Sequence, residues 1–207
     1  MSETGKKRTG TRAPARRPRQ ALPLEEIVEA AARVADRDGL AAVRMSQIAT
    51  ELGRSHSSLY NRFESVEAIH REIALRTVAG LADALTAAAV ALSGTDALLS
   101  VARAYRDYLR THRGRFEAAY TVRFTHDPEL VAVFRSASVV IEAVLRSFGL
   151  SDDACFRAHL AISAAIRGFV IGEGQIAETD ADPDATFDAM IDLFAEGLTS
   201  GKWPKNP

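Results

Sequence analysis

Residues Met45–Phe63 read MSQIATELGRSHSSLYNRF, and the spacing predicts two short helices, Ser46–Leu52 and Ser55–Phe63, joined by Gly53-Arg54. In the first, Ile48, Ala49 and Leu52 make a narrow apolar stripe, with Ala49 small enough to let another helix cross closely. Gly53 stands where a tight turn needs positive φ, which glycine adopts without steric cost. Ser55 is placed to cap the second helix, and Leu59 and Phe63, four apart, point inward together. His56, Ser57 and Tyr60 share a different, polar face. A plain helical hairpin with a solvated face fits this spacing, and so does a helix-turn-helix whose second helix meets base edges. Solvated faces usually carry Glu and Lys, whereas this one carries Ser55, His56, Ser57, Ser58, Tyr60, Asn61 and Arg62. Short donors and acceptors with one arginine suit groove and phosphate contact better.

The flanking sequence extends the helical pattern. From Pro23, Ile27, Ala31, Val34 and Leu40 form one stripe, and Asp38-Gly39 ends that helix. Ser65 caps a long helix to about Leu92; Thr95-Asp96 opens another to about Thr111; a short aromatic piece spans about Arg115–Phe124. Asp127-Pro128-Glu129 combines an N-cap, a proline at the first helical position and an acidic first turn. Ser151-Asp152-Asp153 and Asp182-Pro183-Asp184 open the last two helices. No segment alternates with period two, so the chain reads as all-α with about nine helices.

Composition narrows the partner classes. With 47% hydrophobic and 26% charged residues, the 207-residue chain can bury one large or two small cores. No apolar run approaches the roughly 20 residues of a membrane span, Leu81–Leu92 being interrupted by Asp83 and Thr86, so no membrane partner is expected. The single cysteine, Cys155, reads as a small packed residue, and the reducing cytoplasm is the expected compartment. The net charge of −1 hides an asymmetry: residues 1–72 carry 13 Lys/Arg against 10 Asp/Glu. Lys6, Lys7, Arg8, Arg12, Arg16, Arg17 and Arg19 face only Glu3, so residues 1–22 read as a disordered basic arm suited to an anionic partner.

At Ile27–Ile73 the chain resembles the DNA-binding head of the TetR family of bacterial regulators. The features are IVEAAARVADRDG, IATELG, the S-x-x-x-LY-x-x-F pattern ending at Phe63, and the helix opened by Ser65. The resemblance implies a three-helix head, a six-helix body and a homodimer joined through the last two long helices. It also implies double-stranded operator DNA as partner, with Ser55, Tyr60 and Arg62 on phosphates, His56, Ser57 and Ser58 reading bases, and Ser46 within reach of DNA. One departure is clear: the family usually has a phosphate-contacting lysine where this chain has Val66, between Glu64 and Glu67. Domain limits follow as 1–22 for the arm, 23–70 for the head and 71–207 for a ligand-binding and dimerisation body.

The body concentrates aromatic residues. Tyr105 and Tyr108 form one face, and Phe116, Tyr120 and Phe124 another. With IRGFVIGEG at 166–174 this resembles a body subfamily with a Tyr-x-x-Tyr helix and a late His-Gly pair, here Arg167-Gly168. The aromatic faces read either as ordinary core or as the wall of a small-molecule pocket for an unidentified effector, with Tyr105, Tyr108, Phe116, Tyr120, Phe124 and Arg167 its candidate lining. Arg103, His112 and His159 are further polar candidates. No histidine pair has metal-ligand spacing with a carboxylate, and there is no phosphate loop, nucleophile elbow or paired-carboxylate motif, so neither a cofactor nor catalysis is expected. The expected function is a homodimeric repressor released from its operator by a small molecule. The alternative, motivated by Val66, is a helical interaction module that has lost specific DNA binding.

Overall fold

The computed structural model describes residues 22–121, 126–201 and 203. All regular structure among them is helical: α1 (Leu24–Asp38), a 3-10 turn (Leu40–Ala42), α2 (Met45–Glu51), α3 (His56–Tyr60), α4 (Val66–Ala89), α5 (Gly94–Thr111), α6 (Arg113–Thr121), α7 (Pro128–Arg146), α8 (Asp152–Ile176) and α9 (Pro183–Thr199). The start signals act as their chemistry requires. Asp127 accepts from the Glu129 and Leu130 N–H groups, Asp182 from Asp184, Ser151 from Ala154 and Ser65 from Ala68. Ser55 stands at the N-cap of α3 but makes no side-chain cap; its hydroxyl bonds Ser57 and Ser58 instead, at 3.1 and 2.9 Å. α3 is correspondingly one helical turn and a half, shorter than the Ser55–Phe63 span the sequence suggests. The basic arm up to residue 21 lies outside the described residues; Leu22, which the sequence reading placed in that arm, is buried in the head core.

The head is held by the apolar stripe read from the sequence. Ile27, Ala31, Val34, Ile48, Leu59, Ile69 and Ile73 are fully buried, and Gly53 turns the chain at φ 60°. Arg33 and Arg37 of α1 both bond Glu51 of α2, at 3.2 Å each, fixing the angle at which the two-helix unit sits on α1.

α4 runs from head to body and packs against α1, α5, α6 and α7. α6 packs on both α1 and α4, and the α1 contact is unusually close. A methyl group at Gly114 would overlap the Ala35 carbonyl and the Asp36 amide. Next to it, the Arg115 backbone N–H and Nε both donate to the Asp36 carboxylate, at 2.9 and 2.6 Å. Arg71 of α4 meets the α7 N-cap, donating to Asp127 at 3.0 Å and to Glu129 at 2.6 Å. These contacts hold the Asp127 carboxyl below its usual range, the Arg71 hydrogen bond being the main cause. Arg106, only 4% exposed, ties α5 to α8 and α9 through Glu173 and Asp184 and lies over the Phe169 and Phe187 rings.

α8 departs from the sequence expectation on membrane spans, since by length and composition it is apolar enough to cross one. Its apolar residues fall on two faces. Ala154, Ala158, Ile162, Ile166 and Val170 are buried inside the protein. Phe156, Leu160, Ala164, Gly168 and Ile171 are exposed. On α9, likewise, Phe187 and Ile191 are buried while Ala189 and Leu193 are exposed. The last two helices, expected to join two chains, thus each have a face of their own core: Ile162, Ile166, Phe187 and Ile191 are buried within one chain, whereas Leu160 faces outward.

The α1–α6 approach gives a sign-reversed prediction. Ala in place of a helical Gly ordinarily stabilises by about 1 kcal/mol, but Gly114→Ala should destabilise by about 2–3 kcal/mol through overpacking, read from urea unfolding; a gain in stability would refute the close contact. A second prediction concerns pH. Burial lowers the proton affinity of His70, His112 and His159 below the usual 6.5. The unfolded chain therefore binds protons that the folded chain refuses, so stability is full above the unfolded value and is lost as pH falls through it. The Tm should drop as pH is lowered from about 7 to about 5, and replacing all three histidines with Gln should flatten that slope.

Candidate functional site

One end of the head presents a continuous polar surface. Ser46, Ser55, His56, Ser57, Tyr60, Asn61 and Arg62 are exposed and Ser58 is half-buried, while Leu59 and Phe63 anchor the same short segment from below. Tyr60 is a large aromatic 58% exposed on this surface. An open groove of about 480 Å³ runs between α2, α3 and the start of α4, lined by Arg44, Ser46, His56, Tyr60, Ser65 and Val66. The structure thus brings Ser46 of α2 into one groove with His56 and Tyr60 of α3.

Two residues of this surface went unread in the sequence. Arg44 and Arg54 are exposed, and among the described residues no carboxylate lies within ion-pair distance of either, nor of Arg62. Arg33 and Arg37, by contrast, are consumed by Glu51. The signal was available: neither Arg44 nor Arg54 has an acid three or four residues away on a continuous helix, so neither has a local partner.

In the body, a cavity of about 340 Å³ lies between α4, α5, α6, α7 and α8. Val78, Leu81, Leu85, Phe134 and Ile141 form its apolar walls. Tyr105, Phe116, Tyr120 and Arg167 line it as the sequence suggested, and His159 joins them. Phe116, Tyr120 and Arg167 also border an adjoining outer chamber of about 430 Å³, together with Arg113 and Glu117. The Phe116 ring lies 6.3 Å from Tyr105 and 4.9 Å from Tyr120, and the Arg167 guanidinium sits over the Tyr120 ring at 5.2 Å. Arg167 also reaches the Tyr105 hydroxyl at 3.5 Å. Desolvation pushes the Tyr120 phenol far above its ordinary value.

Other candidates fall elsewhere. Tyr108 lines neither chamber: its hydroxyl donates to the Thr77 carbonyl at 2.8 Å, against Gly80, where a side chain would collide with it. Tyr105 and Tyr108 share a side of α5, as residues three apart do, but the Thr77 carbonyl and the space left at Gly80 hold Tyr108 against α4. Phe124 lies outside the described residues. Arg103 is spent on Asp188, and His112 sits near Asp36 with its ring edge-on to Tyr108 at 4.5 Å. Cys155 is fully buried and its thiol is raised by that burial, as a packed residue should be. Ser163, which the sequence did not single out, lines the cavity with a buried hydroxyl that has no hydrogen-bond partner among the described residues.

Comparison with known proteins agrees with this layout. Residues 27–73 match the family of bacterial regulatory proteins of the tetR family, and residues 98–194 match the tetracyclin repressor-like C-terminal domain. The chain is 35% identical over 178 residues to the uncharacterized HTH-type transcriptional regulator Rv0681 of Mycobacterium tuberculosis, covering 86% of this chain and 82% of that one. It is 27% identical over 182 residues to the uncharacterized HTH-type transcriptional regulator YobS of Bacillus subtilis, covering 87% and 95%. Among solved structures, a protein of unknown function from Rhodococcus sp. RHA1 superposes with a TM-score of 0.75 at 20% identity, over 89% of this chain and 100% of the other. A TetR variant from Acinetobacter baumannii, solved in complex with minocycline, superposes at 0.65 with 19% identity, over 90% and 99%. With its helix-turn-helix head, all-helical body and these matches across both, the chain belongs to the TetR family of HTH-type transcriptional regulators.

Proposed function

We propose that the protein is a homodimeric repressor whose heads bind operator DNA and whose body cavity takes a small molecule that releases it. α3 enters the major groove, where His56, Ser57 and Ser58 read base edges and Ser46 reaches in from α2. Ser55, Tyr60, Asn61 and Arg62 hold the phosphates, with Arg44 and Arg54 as additional cations. Arg44 answers the departure at Val66, since both line the same groove, and Arg54 adds a cation beside Ser55 ahead of α3. The N-terminus of α4, a 24-residue helix capped by Ser65, adds backbone N–H groups beside them. The limits stand as head to about residue 70 and body beyond it, on a chain that works in the cytoplasm where its DNA is.

The observation that carries the effector reading is the double role of α6. Phe116 and Tyr120 line the cavity, while Gly114 and Arg115 of the same helix dock on Ala35 and Asp36 of α1. A molecule that displaces α6 therefore moves the head, and coupling of about 1–3 kcal/mol suffices for a useful switch. That a protein of the same fold holds minocycline supports a ligand-binding body. Two heads on one face of the duplex need centres about 34 Å apart or a multiple of it, and the body sets that distance.

The dimer forms through the exposed apolar faces of α8 and α9. Ile171 is 75% and Leu193 70% exposed, and Phe156, Leu160 and Ala164 continue the face of α8. Such a contact should bury on the order of 2,000 Å² in total. Ile171→Asp combined with Leu193→Asp should give a monomer by light scattering with an unchanged helical spectrum, and operator affinity should collapse with it. A persistent dimer would place the interface elsewhere.

For the head, His56→Ala should cost about 1–3 kcal/mol on the best site and relax preference at one or two base pairs. Tyr60→Phe and Arg44→Ala should weaken all sequences alike, and Arg44→Ala should also reduce the salt slope of binding by about one. Titrations against the chain's own upstream promoter DNA, and single-base variants of it, measure both. Unchanged binding in all three variants would favour the interaction-module alternative.

A further inference from the structure

We propose that the body cavity is built for a small apolar monocarboxylate, with Arg167 and Ser163 holding its carboxylate. This rests on the effector reading above and adds the chemical class. Three polar residues of α8, His159, Ser163 and Arg167, are spaced four apart and therefore stack along one helix face, and all three line the cavity. The opposite walls are mainly apolar, Leu81 and Leu85 of α4 with Phe134 and Ile141 of α7; Ser138 of α7 also lines the cavity, but its hydroxyl is spent on the Phe134 carbonyl at 3.0 Å. The cavity is thus amphipathic, with the polar groups of α8 and the Tyr105 and Tyr120 phenols on one side and mainly hydrocarbon on the other.

The polar wall is unfinished. Ser163 is 2% exposed and its hydroxyl has no partner among the described residues, while the His159 Nδ1 lies 3.7 Å from the Glu142 carboxylate. A buried hydroxyl without a partner costs free energy that a ligand group can recover. Arg167 has the corresponding excess of charge. Its contacts are two phenols, Tyr105 and Tyr120, and among the described residues no carboxylate is within ion-pair distance of it. Glu142, which approaches His159 at 3.7 Å, is bonded to Arg135 at 2.8 Å. Glu117 and Arg113 line the outer chamber and not the inner one, and offset one another in charge there. The inner cavity is left with one uncompensated guanidinium.

A half-buried cation with donors left over selects an anion, and a planar guanidinium with a hydroxyl beside it matches a carboxylate. The inner cavity, about 340 Å³, is at the low end for small-molecule sites, and its single unpaired guanidinium suits one carboxylate rather than several. Its aliphatic and aromatic walls require the remainder of the ligand to be hydrocarbon.

The test compares three ten-carbon probes of matched shape, decanoate, decan-1-ol and decylammonium, by titration calorimetry on the full-length dimer. Decanoate should bind at least about tenfold more tightly than decan-1-ol, the ratio that one charge-assisted hydrogen bond supplies, and decylammonium should not bind. Arg167→Gln should erase the decanoate advantage while leaving decan-1-ol binding unchanged. Ser163→Ala should weaken decanoate several-fold without lowering the Tm of the ligand-free protein, which a purely structural serine would not allow. Decan-1-ol or decylammonium binding as tightly as decanoate, no binding by any probe, or an undiminished preference in Arg167→Gln would overturn the assignment. A gel shift with operator DNA separates this from the effector reading. Decanoate that binds through Arg167 yet leaves DNA bound keeps the carboxylate site and sinks the effector role. Release by decan-1-ol alone does the reverse.

Discussion

The contact between Gly114 and the Ala35 carbonyl is the constraint around which the two halves of the molecule are arranged. It brings the backbone of α6 against the C-terminal turn of α1, closer than any side chain permits, and Arg115 then locks Asp36 with two hydrogen bonds. Because α6 is only nine residues long, its two ends cannot move independently. The end that touches the head and the end that lines the cavity are one rigid piece. Whatever shape the cavity takes is imposed on α1, and through Arg33, Arg37 and Glu51 on the helix pair that carries the polar surface.

α4 supplies the second route and limits the first. Its head end sits among Ile69 and Ile73 in the head core, and its body end among Leu81 and Leu85 in the cavity wall. The helix is long because Ser65 caps it cleanly and no glycine but Gly80 interrupts it, and Gly80 is there to admit the Tyr108 hydroxyl. Arg71 fastens it to the start of α7. Head and body are therefore joined by a stiff helix and a short strut, a geometry that turns local displacement into rotation rather than absorbing it.

Charge is distributed with the same division of labour. In the core and between helices, arginines are paired: Arg71, Arg103, Arg106 and Arg115 each meet at least one carboxylate. Among the described residues, Arg44, Arg54 and Arg62 at the head surface meet no carboxylate, and neither does Arg167 in the cavity. Surface ion pairs add little stability, so an unpaired surface arginine costs the fold little and stays available to an anion. The same reasoning applied inside the body, where desolvation is expensive, makes Arg167 the more informative of the four.

Much of the architecture could be read from the chain alone. Asp127-Pro128, Asp182-Pro183, Ser65 and Ser151 are local signals, decided by hydrogen bonds within a few residues, and each helix starts where they say. The helix-turn-helix was legible for the same reason, since Gly53, Leu59 and Phe63 act within one short segment. What the sequence could not settle was which of two apolar faces a helix turns inward. On α8 and α9, Ile162 and Phe187 are core while Phe156, Ile171 and Leu193 are outside. Tyr108 shares a motif with Tyr105 yet serves α4, and Ser163 became notable only when its hydroxyl was found buried without a partner. Hydrophobic periodicity records that a face is apolar; which neighbour covers it is fixed by the packing of helices distant in sequence, and that is information the tertiary structure alone holds.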